Sequence, residues 1–375
     1  MTIFKTICGI IVEYNPFHFG HAYHIRQSVE LSGCDLLIAV MSPNIVQRGE
    51  FAVIDKKRRA YCALNQGVDL VIELPSIYVL QKADIFAWGA IRLLDRCGIT
   101  DLCFGSETND IDYLSRLADL TFDFDRLKEE LKTGVSYPGA VSRLVDRLYP
   151  NDILAVAYLK ILSDYPQIRS HILQRTNTYK DREINDEYAS ATAIRHNLHN
   201  KDIDLHKYTP LADDLSRFNN DLSRYYDLIR YSLMTSSSEE LSSYLLVDEG
   251  IENHLKSQVQ TTENYDDFLH NCVNRRYTTS RIQRTLMNIL LKVPKSSKND
   301  LEINSGLRIL GFNDKGRDYL KTLNKKEVPY SVKFKDLYPP QKDLEYRIAQ
   351  LYQMYYQDKS LLKNELSGPL YCPKP

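Results

Sequence analysis

The seven cysteines of this 375-residue chain (8, 34, 62, 97, 103, 272 and 372) are an odd number, and no two form a C-x-x-C pair. That argues against a disulfide framework and a thiolate zinc site and fits a reducing cytoplasm; no protein-held metal site is expected. No apolar run approaches the ~18 residues that span a bilayer, so no membrane association is expected. Met1 to Val12 holds one lysine and a short apolar stretch, but Glu13 ends it and no small-residue cleavage pattern follows, so it does not read as a secretory signal. Neither G-x-G-x-x-G nor G-x-x-x-x-G-K-[ST] occurs, which removes the dinucleotide fingerprint and the P-loop. No internal repeat or long low-complexity stretch is present.

What remains is an ordinary globular chain, 43% hydrophobic and 26% charged, long enough for two or three domains. Its net charge of −1 conceals a division. Residues 1–250 hold 27 Lys+Arg against 35 Asp+Glu, and residues 251–375 hold 21 against 14, so an acidic body of −8 carries a basic end of +7. Such asymmetry suits a chain in which one part does chemistry and another holds a polyanion, though a solvated helical surface would give the same count. Tyrosine does not decide between them. Ten of the 26 fall after residue 250, close to an even share, so no stacking platform for bases is signalled.

The first hundred residues alternate clearly. Apolar runs at Thr6–Val12, Leu36–Met41, Leu70–Leu74 and Leu102–Phe104 are separated by helical patterns at Gly20–Leu31, Asp55–Asn65 and Ala83–Cys97. Short apolar strands alternating with helices predict βαβ units and a parallel sheet covered on both faces. The fold class is therefore α/β, a doubly wound, Rossmann-like domain over residues 1–200. Asp110–Tyr165 reads as helical, with Asn151-Asp152 as a cap for Ile153–Ser163, and Ile168–Gln174 as a last strand. Residues 201–375 read as a mostly α-helical, basic region without alternating strands. Its helices are Leu222–Met234, Ser238–Leu246, Ser280–Leu291 and Asp343–Tyr356, with Val293–Lys298 as a linker.

In an open parallel sheet, ligands bind beyond the carboxyl ends of the strands. After the first strand the chain offers His18-Phe19-Gly20-His21 at the start of a helix. A helix N-terminus presents free N–H groups and partial positive charge, and Gly20 lets backbone and nucleotide approach closely. His18 and His21 can then donate hydrogen bonds to the α-phosphate of a nucleoside triphosphate and to the oxygen leaving with pyrophosphate. Two surface histidines beside a turn are the plain alternative.

Ser190, Thr192 and Arg195 place hydroxyls at a helix start with an arginine one turn in, a pattern suited to β- and γ-phosphates, or a simple N-cap. Arg48, in Gln47-Arg48-Gly49-Glu50 after the second strand, faces the ligand crevice either as a grip for an anionic substrate or as a solvated loop residue. Gly105-Ser106-Glu107, at the end of the fourth strand, can line the same pocket. Cys103 beside it reads as a small buried residue. Lys295-Ser296-Ser297-Lys298 is similar to the lysine loop of class I aminoacyl-tRNA synthetases but lies far past the sheet, in the linker.

The segments G-I-I-V-E-Y-N-P-F-H-F-G-H, S-P-N-I-V-Q-R-G-E, G-V-D-L-V-I-E-L-P, Q-K-A-D-I-F-A, F-G-S-E, N-D-I-L and S-A-T-A-I-R occur in that order. Together they resemble the bacterial tRNA(Met) cytidine acetate ligases, within the wider HxGH nucleotidyltransferase superfamily. The resemblance is dense from residue 7 to about 200. It continues more thinly through Arg276–Arg284 and Leu307–Phe312.

The resemblance implies a two-step ligase. Acetate attacks the α-phosphate of ATP to form acetyl-adenylate and pyrophosphate. The N4 amine of the wobble cytidine of elongator tRNA(Met) then takes the acetyl group, giving N4-acetylcytidine and AMP. It implies ATP contacts at Ile11, Val12, Glu13, Tyr14, Asn15, Pro16, Phe17, His18, Phe19, Gly20, His21, Ala22, Tyr23 and His24, and at Gly105, Asn151, Arg175 and Thr176. Arg276, Arg281 and Arg284 are the candidates for tRNA, and Mg2+ is expected with the triphosphate. No stable protein partner is expected.

Two positions depart from the family pattern. Phe19 stands where a polar residue is frequent, and Ala191 where many members have a second serine. Two other functions fit part of this reading: an adenylyltransferase acting on a small phosphorylated metabolite, and a protein that binds ATP and tRNA without catalysis. The basic last third argues against the first, and the intact motifs against the second.

Overall fold

The structure, a computed structural model, describes residues 4–119, 149–175, 189–200, 202–215 and 222–373, with 129, 130, 132, 133, 140 and 184 between them. The alternation legible in the sequence becomes a wound sheet. Strand β1 (Ile7–Val12) leads to helix α1 (Phe19–Ser32), β2 (Leu36–Met41), a two-residue hairpin pair β3 (Ile45–Val46) and β4 (Glu50–Phe51), and α2 (Lys56–Asn65). Next come β5 (Leu70–Glu73), α3 (Ser76–Val79), α4 (Ala83–Arg96), β6 (Asp101–Ser106), α5 (Ile111–Asp119), α6 (Pro150–Leu162) and β7 (Arg169–Gln174). Every residue of β2 and β5 is buried, as strands sandwiched between helices require.

The sheet order is β5-β2-β1-β6-β7, with each of these pairs parallel. The chain therefore steps outward from β1 through β2 to β5, then returns past β1 to β6. The two directions part between β1 and β6, the place where open sheets of this kind bind their ligands. Helix α2 starts where it does because the Asp55 carboxylate accepts from the Lys57 and Arg58 N–H groups at 3.0 and 3.3 Å.

Helix α6 corrects the expected cap at Asn151-Asp152. It opens three residues before Ile153, on Pro150, and Asp152, which accepts from the Tyr149 N–H at 3.4 Å at the helix start, also reaches the end of β6. There its carboxylate accepts from Ser106 Oγ (2.6 Å), Glu107 N (3.0 Å) and Thr108 N (3.3 Å).

The region after residue 200 is helical, as expected. Helix α7 (Ala191–His196) precedes it, and α8 (Ala212–Leu215), α9 (Leu222–Thr235), α10 (Ser238–Ser242), α11 (Ile251–Val259), α12 (Tyr265–Cys272), α13 (Thr279–Leu290) and α14 (Lys298–Asn304) follow. The expectation of no further strand is corrected. Leu307–Phe312 forms β8, which pairs antiparallel with β5 and extends the same sheet. Beyond it lie α15 (Asp314–Lys325), β9 (Tyr330–Ser331), α16 (Pro339–Tyr356), α17 (Ser360–Leu366) and β10 (Leu370–Tyr371). Strands β9 and β10 pair parallel with β8.

Arg308 of β8 and Lys56 of α2 meet Glu73 of β5 and Glu365 of α17 in a fully buried ion cluster. Removing one member of such a cluster leaves an unpaired buried charge, so it fixes how late and early segments join. The segment read as a linker is ordered too. Leu245 N donates to Val293 O at 2.8 Å, Lys295–Ser297 forms one tight helical turn, and Lys295 pairs with Asp248 at 2.7 Å.

Candidate active site

The loop between β1 and α1 sits at the switch in strand order, and the chain holds it from many sides. Tyr14 takes a left-handed conformation (φ 55°), and the Asn15–Pro16 peptide is cis. Four neighbouring segments then anchor it, three of them by its backbone. Glu13 O accepts from Arg59 Nη1 (2.6 Å), Asn15 O from Arg195 Nη1 (2.6 Å), and Phe17 O from Thr209 Oγ1 (2.6 Å). Phe19 N donates to Tyr208 O at 3.0 Å, and the Asn15 side chain accepts from Val53 N at 2.8 Å. At about 1 kcal/mol for each net hydrogen bond, this set offsets the cost of the left-handed Tyr14 and keeps the loop in one conformation.

His18 ends the loop in extended geometry as the residue before α1, and His21 follows one turn later. Their rings stack with centroids 3.7 Å apart, and Tyr14 lies edge-on to His21 at 4.8 Å. A side chain on Gly20 would place its Cβ 2.9 Å from the His18 ring. Glycine is therefore needed there first for the imidazole.

The protonation of His21 follows from one hydrogen bond. Its Nδ1 receives the His18 backbone N–H at 3.2 Å. An amide nitrogen can only donate, so Nδ1 carries no proton and the ring proton sits on Nε2, where it is available to a ligand. The electrostatics agree. Burial, then the neighbouring His18, Arg175 and His24, hold His21 well below the usual histidine range. Burial, then Arg175 and Arg195, push His18 down to about 3, and burial with Arg175 pushes His24 to about 4. These imidazoles are neutral hydrogen-bonding groups at physiological pH. The Nδ1 of His18, the Nε2 of His24 and the Tyr14 hydroxyl are buried with no partner among the described residues. Buried polar atoms of this kind are expensive unless a ligand completes them.

A second group forms at the ends of β6 and β7. Asn151 Nδ2 donates to Glu107 Oε1 at 2.6 Å, and its Oδ1 accepts from Arg175 at 3.4 Å. A Cβ on Gly105 would lie 3.3 Å from Arg175 Cγ, so Gly105, Asn151 and Arg175 adjoin one another. Because Arg175 bears on all three histidines, the two groups share one crevice.

Ser190 Oγ caps α7 by accepting from Ala193 N at 3.0 Å, and Thr192 Oγ1 accepts from Arg195 at 3.3 Å. Arg195 ties this helix to the histidine loop through Asn15. Ile11 and Val12 end β1, Ala22 is buried in the core, and Tyr23 is half-buried on α1. Thr176 lies outside the described residues.

The arginines expected on an anionic substrate divide. Arg48, at the β3–β4 turn, is half-buried and near enough to bear on Arg195. Arg276 and Arg281 lie together at the head of α13, both paired with Glu249 at 3.2 Å and both against the Tyr277 ring. Arg284 points away from that surface. It is only 9% exposed and donates to Gln47 O at 3.0 Å.

Sequence reading missed the groups that hold the site rather than line it. Arg59 is fully buried and clamps four carbonyls, of Glu13, Ser42, Pro43 and Ile54, yet in sequence it is one of four consecutive basic residues. Thr209 gives no local signal at all. Asp152 was visible only as a helix cap.

The comparisons agree with this geometry. The HIGH Nucleotidyl Transferase family matches residues 5–366. A tRNA(Met) cytidine acetate ligase of Oceanobacillus iheyensis is 35% identical, over 97% of this chain and 99% of that protein. One from Staphylococcus haemolyticus is 41% identical, over 86% of this chain and 87% of its own length. Among solved structures, apo Thermotoga maritima TmcAL superposes with a TM-score of 0.89 at 31% identity, covering 99% of this chain and all (100%) of that one. The same protein bound with alpha-thio ATP gives 0.87 at 30% identity, with coverage of 99% and 100%. With likeness of this extent in both sequence and shape, the chain belongs to the HIGH nucleotidyl transferases and, within them, to the tRNA(Met) cytidine acetate ligase family.

Proposed function

We propose that this enzyme joins acetate to N4 of the wobble cytidine of elongator tRNA(Met) in the cytoplasm, by way of acetyl-adenylate. The observation that carries the reading is the stacked His18–His21 pair at the head of α1, beyond β1 at the strand-order switch.

Acetate is a poor electrophile and the cytosine amine a poor nucleophile, so a good leaving group has to be installed first. A carboxylate oxygen attacks the α-phosphorus, and the bond to the bridging oxygen breaks to release pyrophosphate. The Nε2–H of His21 donates to the oxygen on which charge collects, with His18 beside it. Ile11 to His24, Gly105, Asn151, Arg175 and Thr176 bind the nucleotide, with Ser190, Thr192 and Arg195 toward its outer phosphates. Arg48 receives the acetate carboxylate. In the second step the amine attacks the acyl carbon, the bond to the phosphate oxygen breaks, and the amine's proton passes to the departing AMP. Arg276 and Arg281 meet the tRNA backbone.

No group of three His, Cys, Asp or Glu side chains fit for a metal occurs among the described residues. A magnesium ion with the nucleotide would be held by phosphate and water oxygens.

Exchange of labelled pyrophosphate into ATP tests the reading. Exchange that needs acetate alone is expected. A requirement for a phosphorylated metabolite would indicate an adenylyltransferase, and no exchange under any condition a binding protein.

A further inference from the structure

Besides the direct bonds from Tyr208 and Thr209, the histidine loop is braced from α13 through a small hairpin. Gln47, at the end of β3, gives its N–H to Glu13 Oε1 (2.7 Å), inside the nucleotide loop, and its carbonyl accepts from Arg284 of α13 (3.0 Å). One peptide group on either side of Gln47 thus links the two. Glu50, at the start of β4, accepts from Gln283 of α13 at 2.7 Å. Between them Gly49 takes a left-handed conformation (φ 83°), and a Cβ there would stand 2.4 Å from the Arg284 backbone nitrogen. The hairpin lies backbone against backbone on α13, and no methyl group fits between.

The side chains between those anchor points belong to the site. Arg48 is the residue between Gln47 and Gly49, and Arg48, Glu50 and Glu13 all bear on the Arg195 guanidinium. Arg195 in turn holds the Asn15 carbonyl of the histidine loop. Arg284 is an unusual strut. It is a buried cation with an unpartnered Nε, no acidic partner among the described residues, and one carbonyl to hold. A neutral side chain would brace a hairpin at lower desolvation cost, so its presence calls for a reason beyond packing.

We propose that Gln283 and Arg284 are positioning residues for acetate capture: through the 45–51 hairpin, α13 fixes Arg48 opposite Arg195 at the rim of the histidine site. The inference rests on the acetate-activating reading above and adds to it that the helical region helps to build the carboxylate site. It assigns Arg284 to the activation step instead of to tRNA.

Acetate-dependent pyrophosphate exchange on the full chain, with KM measured separately for acetate and for ATP, is the test. Arg284→Ala should raise the acetate KM about tenfold to a hundredfold, the scale of a displaced positioning group, and change the ATP KM less than twofold. Arg284→Lys, which keeps a donor and the charge, should recover most of the loss. Gly49→Ala, which pushes the hairpin off α13 without deleting any side chain, should show the same split. Equal rises in both KM values, or an unmoved acetate KM with weakened tRNA binding, would overturn the proposal. Should Arg284→Ala not fold, Gln283→Ala decides: a raised acetate KM supports the inference and an unchanged one overturns it. Wild-type exchange that ignores acetate would overturn the acetate-activating reading itself, and this inference with it.

Discussion

The histidine loop and the head of α13 both gather groups that can carry positive charge, and they treat it in opposite ways. At the loop, His18 is buried and His21 and His24 are half-buried, all three are held neutral, and Arg59 and Arg195 are turned onto backbone carbonyls. At the head of α13, Arg276 and Arg281 stay near the surface, charged, and share one carboxylate, Glu249. The first arrangement gives donors fixed in a site of low dielectric, where orientation decides strength. The second gives charge at a screened surface, where a polyanion is attracted without being oriented. The proposed function makes the first a place for chemistry and the second a place for binding.

Removing a donor from the first region should have the largest effect. His21→Ala deletes the Nε2–H that faces the crevice and also the acceptor of the His18 N–H. Acetate-dependent exchange should fall about 10²–10³-fold, the loss seen when one transition-state donor is removed. Single-turnover measurement of acetyl-adenylate formation checks it, and a rate within threefold of wild type would take His21 out of the reaction.

Acid sharpens the comparison next. These crowded histidines bind protons far less readily than the unfolded chain, whose imidazoles titrate near 6.5, with His18 lowered to about 3 and His24 to about 4. Stability from keeping them neutral is therefore full above pH 6.5 and lost as the pH falls through the lowered values. Each such histidine should steepen the decline by about 1 kcal/mol per pH unit between pH 6 and 5. Denaturant unfolding of His24→Gln should show a decline shallower by that amount. An equally steep decline would mean that His24 is not held neutral.

How much of this the sequence displayed depends on how far apart the cooperating residues lie. The strands β1, β2, β5 and β6 could be read because each is a continuous apolar run with its helix beside it. Strand β8 could not. Its partner β5 lies more than 200 residues earlier, and Arg308 near its start reads as a surface charge until Glu73 and Glu365 are placed against it. The His18–His21 motif was legible because four consecutive residues carry it. The groups that hold it, Arg59, Arg195, Tyr208 and Thr209, are scattered, and only folding shows that they converge on the backbone of residues 13–19. Arg276, Arg281 and Arg284 looked equivalent in sequence. Helical geometry parts them, since Arg284 falls on the inward face of α13 while Arg281 stays half-exposed at its head.

The smallest expected effect probes the second region. An exposed arginine on a phosphate displaces about one counterion, so Arg276→Ala with Arg281→Ala should lower the slope of log affinity for tRNA against log salt by up to about 1.5, while exchange stays at the wild-type rate. The loss should fall short of that limit because both guanidiniums already share Glu249. An exposed pair of this kind is worth about 0–1 kcal/mol, and a phosphate has to compete with it. Glu249→Gln removes the competitor and leaves both arginines in place, so tRNA should bind a few-fold more tightly at low salt, with a steeper salt dependence. Filter binding at two salt concentrations separates the cases. Unchanged affinity in both variants would show that the head of α13 does not meet the nucleic acid, and the contrast between the two regions would then rest on the histidine site alone.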